Sequence, residues 1–156
     1  MQSHSIRSET RGDQPTAVMV AILSASEIGD WMPQAFESIF NYLSAKAAPA
    51  AGPPFARYHR LDETHFEVEA GFPLVEAVEG DGIIRSSSLP GGPVAVTTHV
   101  GPYDAMKPAY DALGAWVEER GFDPVGDRWD TYFSDPDESP DARTWRAEIV
   151  QPYRPA

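Results

Sequence analysis

Apolar residues follow two different spacings along the first half of the chain, one typical of strands and one typical of helices. The β-branched residues Val18, Val20 and Ile22 recur at every second position and predict a strand over 16–24. From position 32 the spacing lengthens to three and four, which predicts a helix whose apolar face carries Met32, Phe36, Ile39, Phe40 and Leu43. A short strand precedes these elements and a β-hairpin follows them: 5–9, then 55–61 and 64–72.

The same succession of patterns returns in the second half of the chain, 74 positions later. The helical positions match in pairs: Met32 with Met106, Ala35 with Ala109, Phe36 with Tyr110, Ile39 with Leu113, and Leu43 with Val117. Further strands are predicted over 83–89, 94–99, 128–134 and 144–153. A single offset that holds across a strand, a helix and the next strand indicates an internal duplication.

Local signals mark the ends of the two predicted helices. Ser26 or Asp30 could accept hydrogen bonds from the free N–H groups at the start of the first helix. Asp104 is expected to cap the second helix in the same way. Gly121 follows Arg120 and predicts the end of that helix, because glycine readily adopts the left-handed conformation that stops a helix.

These elements predict an α+β fold of duplicated strand-helix-strand-strand modules. We expect one domain over 1–156, with pseudo-repeats over 5–73 and 83–153. Their strands would form an antiparallel sheet with two helices on one face. A central cleft is expected between the modules, and concave seams of this kind commonly bind small ligands. A closed and fully packed seam is the alternative.

Composition narrows the range of functions. The formal net charge of −12 argues against nucleic-acid binding, which needs a basic surface, and is compatible with a cationic ligand or with solubility alone. Cysteine is absent, so neither a disulfide nor a thiol nucleophile is available. No apolar run approaches the ~20 residues of a membrane span, and the N-terminal segment lacks a signal-like apolar core. We therefore expect a cytoplasmic protein that does not bind membranes.

Other chemistries receive weaker support from the sequence. His59, Asp62, Glu63 and His65 cluster at one predicted hairpin, but a hairpin tip rarely supplies the rigid ligand set that zinc requires. The serine run 86–88 lacks the strand-to-helix turn that exposes a serine nucleophile. No metal site and no cofactor are predicted.

Three segments carry a resemblance to a known family. They read VTTHVGPYDAMKPAYDALGAWVEERGF, PVGDRWDTYFSDPDESP and WRAEIVQPY, and the first half contains matching segments, MPQAFESIFNYLSA, GPPFARYH and FEVEAGFPL. The chain resembles the GyrI-like small-molecule-binding family over about 5–153. This family is similar to the effector-binding domains of bacterial AraC-type and MerR-type multidrug-responsive regulators. Its most specific marks here are the GPYD turn, the D-P-x-E-x-P loop and the last strand with Glu148.

The resemblance implies a pocket for bulky, cationic or aromatic molecules with a glutamate at its floor. In this chain that glutamate is Glu148, and Glu69 lies at the equivalent position of the first repeat. The implied pocket walls are Tyr58, Tyr110, Tyr132, Trp31, Phe36 and Met106. A carboxylate among aromatic rings attracts a cation, and its pKa can move into the range of acid–base catalysis. Without the resemblance, the sequence favours Glu148 as a solvent-facing residue of an edge strand or as a partner of Arg143 or Arg146.

Three function hypotheses follow from this reading. The first is a binder of lipophilic, cationic or aromatic small molecules, for sensing, sequestration or detoxification. The second is a hydrolase of reactive cyclopropane-type electrophiles, with Glu148 as its catalytic group. The third is a protein-binding module that inhibits a partner such as DNA gyrase. The acidic chain has no room for a separate DNA-binding domain, so we expect no direct nucleic-acid contact; a protein partner or a homodimer remains open.

Overall fold

The computed structural model describes residues 4–135 and 138–155. Pro136 and Asp137 of the D-P-x-E-x-P loop lie outside the described residues. The helices and strands are, in chain order, β1 (Ile6–Arg11), β2 (Gln14–Ser24), α1 (Ala25–Ala45), β3 (Phe55–Arg60), β4 (His65–Pro73), β5 (Arg85–Leu89), β6 (Gly92–Val100), α2 (Lys107–Glu119), β7 (Asp123–Pro124), β8 (Trp129–Tyr132) and β9 (Arg146–Arg154). They fall into two compact units, one of Asp13–Pro90 and one of Met1–Gly12 with Gly91–Ala156.

The unit Asp13–Pro90 is an antiparallel sheet with one helix. Its strands lie in the order β3-β4-β2-β5, and α1 packs against β2 and β4. The helix buries the face that the spacing of three and four predicted, and the core contains Ala17, Ile39, Leu43, Leu74 and Ile84. Phe40 departs from the prediction because its side chain is 58% exposed. It lies at the margin of the apolar stripe, where its ring reaches Phe72 at 6.4 Å.

Helix α1 begins earlier than either predicted start. Its first residue is Ala25 and its N-cap is Ser24, so the prediction of Ser26 or Asp30 was wrong. The backbone N–H of Ser24 donates to the Glu27 carboxylate at 2.8 Å, and the Ser24 hydroxyl donates to the same oxygen at 2.9 Å. Ser24 and Glu27 form a capping box, which satisfies donors at a helix start that have no intrahelical partner.

The second unit is also an antiparallel sheet with one helix, α2. Its strands lie in the order β1-β6-β9-β8, and β7 pairs with the end of β9. Helix α2 packs against β6 and β9, and the core contains Ala95, Met106, Ala109, Leu113, Val117, Ala147, Ile149 and Tyr153. The two units together establish the α+β class.

The outer strand of each unit comes from an unexpected part of the chain. Strand β1 precedes β2 in the sequence but pairs with β6, whereas β5 precedes β6 but pairs with β2. Each unit therefore receives its outer strand from the other predicted repeat. The equivalence of the repeats stays a prediction.

The start of α2 corrects one prediction and its end confirms another. Asp104 lies in a short 3-10 helix, Tyr103–Ala105, and the N-cap of α2 is Met106, so Asp104 does not cap this helix. Pro108 occupies the first turn, where its missing N–H costs no hydrogen bond. At the other end Gly121 has a φ of +70° and donates its N–H to the Glu118 carbonyl at 3.0 Å, as expected for a terminating glycine. In the part of the chain described, no helix is long and apolar enough to cross a membrane.

Candidate functional site

Glu148 lies on the face of its sheet that is turned away from α2. Side chains alternate between the two faces of a strand, and Ala147 and Ile149 pack in the α2 core, so Glu148 points to the opposite face. Arg7 and Arg11 share that face, since their strand pairs in register with β6.

Two arginines from β1 neutralise Glu148. Its two carboxylate oxygens accept from Arg7 Nη2 at 2.9 Å and from Arg11 Nη2 at 3.0 Å. Both arginines also donate to Glu9, at 2.8 and 2.9 Å, and these hydrogen bonds, from Arg7 first, lower the pKa of Glu9. The Glu148 side chain is 16% exposed. Its ion-pair partners are thus the β1 arginines and not the Arg143 or Arg146 that the sequence had suggested.

Glu69 has a similar environment in the other unit. It lies on β4 opposite Arg57 of β3, on the face away from α1. Arg57 Nε donates to Oε1 at 2.9 Å and Nη2 donates to Oε2 at 3.1 Å, which is a two-pronged arginine–carboxylate pair. Both predicted glutamates therefore have arginine partners.

A different carboxyl, that of Asp130, lies among aromatic side chains. Asp130 belongs to β8 and pairs in register with Ile149, which places it on the α2 face. Asp130 is 1% exposed, and its Oδ2 accepts a hydrogen bond from the Tyr110 hydroxyl at 2.5 Å. Tyr132, two positions along β8, points to the same face. Two of the predicted pocket tyrosines thus lie around an acid that the prediction did not include.

Burial dominates the electrostatics of Asp130. Removal from water raises its pKa from 3.8 to about 6, although the Tyr110 hydroxyl, the positive charge of Arg128 and the Tyr132 hydroxyl all lower it. The Arg128 guanidinium lies over the Tyr110 ring, 4.0 Å from its centroid. The carboxyl therefore sits beside a hydroxyl donor, an aromatic face and one cation.

Further aromatic side chains extend this region along the sheet. The Tyr103 ring lies 4.9 Å from the Tyr132 ring and 5.0 Å from the Trp145 ring, between centroids. The Tyr103 hydroxyl donates to the Ser134 carbonyl at 2.7 Å, and Trp145 Nε1 donates to the Ser139 carbonyl at 2.6 Å. Each ring is half-buried with its polar tip satisfied, so aromatic surface is available without an unpaired polar group.

The remaining predicted residues are distributed over both units. Met106 is 2% exposed and belongs to the α2 core. Phe36 is half-buried on α1, with its ring 5.9 Å from that of Phe72. Trp31 is half-buried on α1, and Tyr58 lies on β3 opposite Val68. Met106, Tyr110 and Tyr132 meet around α2, whereas Trp31, Phe36, Tyr58 and Glu69 belong to the unit of α1.

The polar cluster of the β3–β4 hairpin has a structural explanation. The Asp62 carboxylate accepts from the backbone N–H groups of Thr64 and His65, both at 2.8 Å, and these bonds, that from Thr64 first, lower its pKa to about 2. Asp62 therefore closes the turn. Among the described residues, no group of three histidine, aspartate or glutamate side chains could hold a metal ion.

The sequence contains a signal that could have identified Asp130 as a candidate site residue. Asp130 lies 74 positions after Ala56, a fully buried residue of β3. An acid at a position whose repeat counterpart is a buried alanine is either satisfied by a specific partner or kept for a function.

A family model described as the GyrI-like small molecule binding domain matches residues 6–154. The chain belongs to the GyrI-like family. This result confirms the resemblance that the sequence motifs indicated. Among curated proteins, none matches the chain significantly.

Solved structures share the fold of this GyrI-like domain. The C-terminal domain of EcmrR has a TM-score of 0.82 at 20% identity, over 99% of this chain and 100% of that one. In the EcmrR–DNA complex the TM-score is 0.80 at 20% identity, over 98% of this chain, which spans 58% of that EcmrR chain. A hydrolase encoded by lin2189 from Listeria innocua has a TM-score of 0.70 at 10% identity, over 96% and 91% of the two chains.

SAV2435, in a structure bound to tetraphenylphosphonium, has a TM-score of 0.65 at 9% identity, over 96% of this chain and 94% of that one. At these identities the likeness shows the fold alone. The ligands and activities of those proteins are therefore not transferred with it.

Proposed function

We propose that this GyrI-like domain binds bulky, lipophilic cations and places the charge of the ligand beside Asp130. The observation that carries the proposal is a buried carboxyl surrounded by Tyr110 and Tyr132 in a small-molecule binding domain. Sensing, sequestration and detoxification of such compounds would all use this binding step.

The physical argument rests on desolvation. A carboxylate removed from water is a costly charge, and a cation that reaches it recovers part of that cost. Neighbouring aromatic faces add about 0.5–2 kcal/mol for each favourable cation–π contact. The net charge of −12 attracts cations to the protein at long range. A flat or bulky lipophilic cation combines all three contributions.

Glu148 remains the second candidate for the acid that meets the ligand, as the family resemblance implies, with a cleft between the modules as its location. A cation at Glu148 would have to compete with Arg7 and Arg11, which already occupy both carboxylate oxygens. At Asp130 the cation to displace is the single exposed Arg128, whose charge lowers the pKa of this acid. We therefore place the ligand charge at Asp130.

Lipophilic cations should raise the melting temperature of the protein. A ligand at about ten times its Kd stabilises the folded state by about 1.4 kcal/mol, which corresponds to a shift of several degrees. Tetraphenylphosphonium and a series of lipophilic aromatic amines are suitable probes, with uncharged analogues of equal size as controls. Because a neutral carboxyl does not attract cations, affinity should fall as the pH drops through about 6.

Two variants identify the acid in the same assay. We expect Asp130→Asn to abolish the pH dependence near 6 and to weaken binding about tenfold. Glu148→Gln should leave the pH dependence in place. The reverse pattern would assign the ligand to Glu148, and an unchanged melting temperature with every cation would contradict the proposed function itself.

Hydrolysis of cyclopropane-type electrophiles is a second candidate function, favoured by one observation. A pKa of about 6 places Asp130 in the range of general acids and bases, and Tyr110 adds a hydroxyl donor at 2.5 Å. If the domain is a hydrolase, a cyclopropane-bearing alkylator should yield ring-opened product, and Tyr110→Phe should slow its formation at least tenfold. Product that forms at the same rate with both proteins would exclude the Tyr110 hydroxyl from catalysis.

A further inference from the structure

A surface cleft, here called the α2-end cleft, opens beside the last turns of α2, between that helix and the strands β7 and β9. Its volume is about 420 Å³, within the range of about 300–1,000 Å³ that is common for small-molecule sites. Its lining includes Gly114, Val117 and Glu118 of the helix, Phe122, and Gln151 of β9. The helix residues follow a spacing of three and four, so they share one helical face.

A glycine keeps the helical wall of the α2-end cleft open. Gly114 is an exposed residue in the middle of α2. Outside its own helix, no described atom lies within 4 Å of the position that a Cβ of residue 114 would take. Glycine is less favourable than alanine inside a helix, because it loses more conformational freedom on folding. Packing therefore does not require a glycine here, and the open space beside the helix is what its presence provides.

The apolar part of the cleft is held in place by an aromatic cluster. Val117 is 3% exposed and belongs to the α2 core. The Phe122 ring stacks on the Tyr153 ring, with 4.8 Å between centroids and 5° between the ring planes. The Trp116 ring lies 6.0 Å from the Phe122 ring and 5.7 Å from the Tyr153 ring. A ligand would therefore meet a preformed apolar surface.

The polar side chains of the cleft offer hydrogen-bond acceptors. Glu118 and Asp123 are exposed carboxylates, and the C-terminal end of α2 adds the negative end of the helix dipole. Arg154 faces Asp123 at 3.8 Å, a long surface ion pair that water screens. The Gln151 amide nitrogen donates to two backbone carbonyls, at 2.8 and 3.4 Å, so its oxygen is the amide atom that remains for a ligand. A ligand that complements this set carries N–H donors and a positive charge.

We infer that the α2-end cleft is a second binding site, for small ammonium ions that carry an aromatic or aliphatic body. The body packs against Val117 and Phe122, and the ammonium group donates to the carboxylates of Glu118 and Asp123. Hydrogen bonds of this charge-assisted kind are about twice as strong as those between neutral groups. The inference goes beyond the proposed function and does not depend on it, because the cleft uses its own acids and not Asp130.

Calorimetric titration of the full chain with 1-naphthylmethylamine tests the inference. This amine is protonated at pH 7.5, and its neutral counterpart, 1-naphthylmethanol, has the same ring system and nearly the same size. We expect a binding event with the amine and an at least tenfold weaker one with the alcohol. The event should persist in Asp130→Asn, because the cleft does not include that residue.

Two pairs of variants locate the ligand. Gly114→Leu places a side chain in the open space of the cleft and should remove the binding event without lowering the melting temperature. Gly29→Leu is its control, because Gly29 is an exposed glycine of α1 with equally free surroundings, and it should bind like the parent. Glu118→Gln should weaken binding threefold or more. Glu119→Gln makes the same change of net charge outside the cleft and should alter the affinity by less than twofold.

Several results would overturn the inference. They are equal affinities for amine and alcohol, absence of binding to the parent, retention of every binding event by Gly114→Leu, and equal effects of Glu118→Gln and Glu119→Gln. Binding that is lost in Asp130→Asn but kept in Gly114→Leu would assign the amine to the site of the proposed function instead. If the cleft event is present while no cation binds in a way that depends on Asp130, the inference stands and the proposed location at Asp130 fails.

Discussion

Asp130→Asn should make the folded protein more stable at pH 7.5, by about 3 kcal/mol. The pKa of Asp130 is raised by burial to about 6, from 3.8. Above pH 6 the folded protein must therefore hold a carboxylate that burial disfavours. Since one pKa unit corresponds to about 1.4 kcal/mol, this charge costs about 3 kcal/mol, and the neutral amide of asparagine avoids the cost. Asparagine can still accept the Tyr110 hydroxyl.

The stability of the parent protein should also depend on pH, in a direction that the raised pKa of Asp130 determines. Between about pH 4 and pH 6 the folded state binds the proton of Asp130 more tightly than the unfolded state does, so stability increases as the pH falls through this window. Urea unfolding at pH 7.5 and pH 5 should show the increase in the parent protein and not in Asp130→Asn. Asp104→Asn, at an exposed position, is the matched control and should change stability by less than about 0.5 kcal/mol. A variant no more stable than its parent at pH 7.5 would contradict the burial of this charge.

Glu148→Gln should have the opposite effect and lower the free energy of unfolding by about 2 kcal/mol. The substitution leaves Arg7 and Arg11 on one sheet face with only Glu9 between them. Removal of one partner from a buried ion pair costs about 3–5 kcal/mol, and the solvent around Arg7, which is 52% exposed, reduces that figure. Chemical denaturation measures the change.

Glu67→Gln is the control for this second substitution, because Glu67 is an exposed residue on a strand of the other unit. It should be close to neutral. If Glu148→Gln unfolds like the parent protein but no longer binds lipophilic cations, Glu148 is a ligand residue and its arginine pairs contribute little to stability.

Local patterns in the sequence account for the elements but not for their partners. The alternation at Val18, Val20 and Ile22 and the helical spacing after Met32 each depend on one segment, and the predicted strand and helix are present. Strand pairing, in contrast, joins segments that are far apart in the sequence. Strands β1 and β5 look alike as short segments before a longer strand, and nothing local indicates that each pairs outside its own repeat.

The same distinction explains the outcome at the candidate site. Tyr110 and Tyr132 were predicted as pocket residues, and both lie around one acid. The acid itself was missed, because an aspartate in a strand reads as solvent-facing until the helix that covers it is known. The partners of Glu148 were missed for a related reason, since Arg7 and Arg11 precede it by 141 and 137 positions.

The exchange of outer strands also orders events during synthesis on the ribosome. Asp13–Pro90 is a continuous segment, so that unit can complete its sheet as soon as β5 has emerged. Strand β1 is made first but has no partner until β6 is available, and its arginines have no Glu148 until β9 follows. Because folding proceeds from the N-terminus during translation, β1 remains unpaired until β6 has been synthesised, although β1 precedes all the other described strands. A tag or a deletion in Ile6–Arg11 would accordingly disturb the unit that folds later, most of which is encoded by the 3′ part of the gene, Gly91–Ala156.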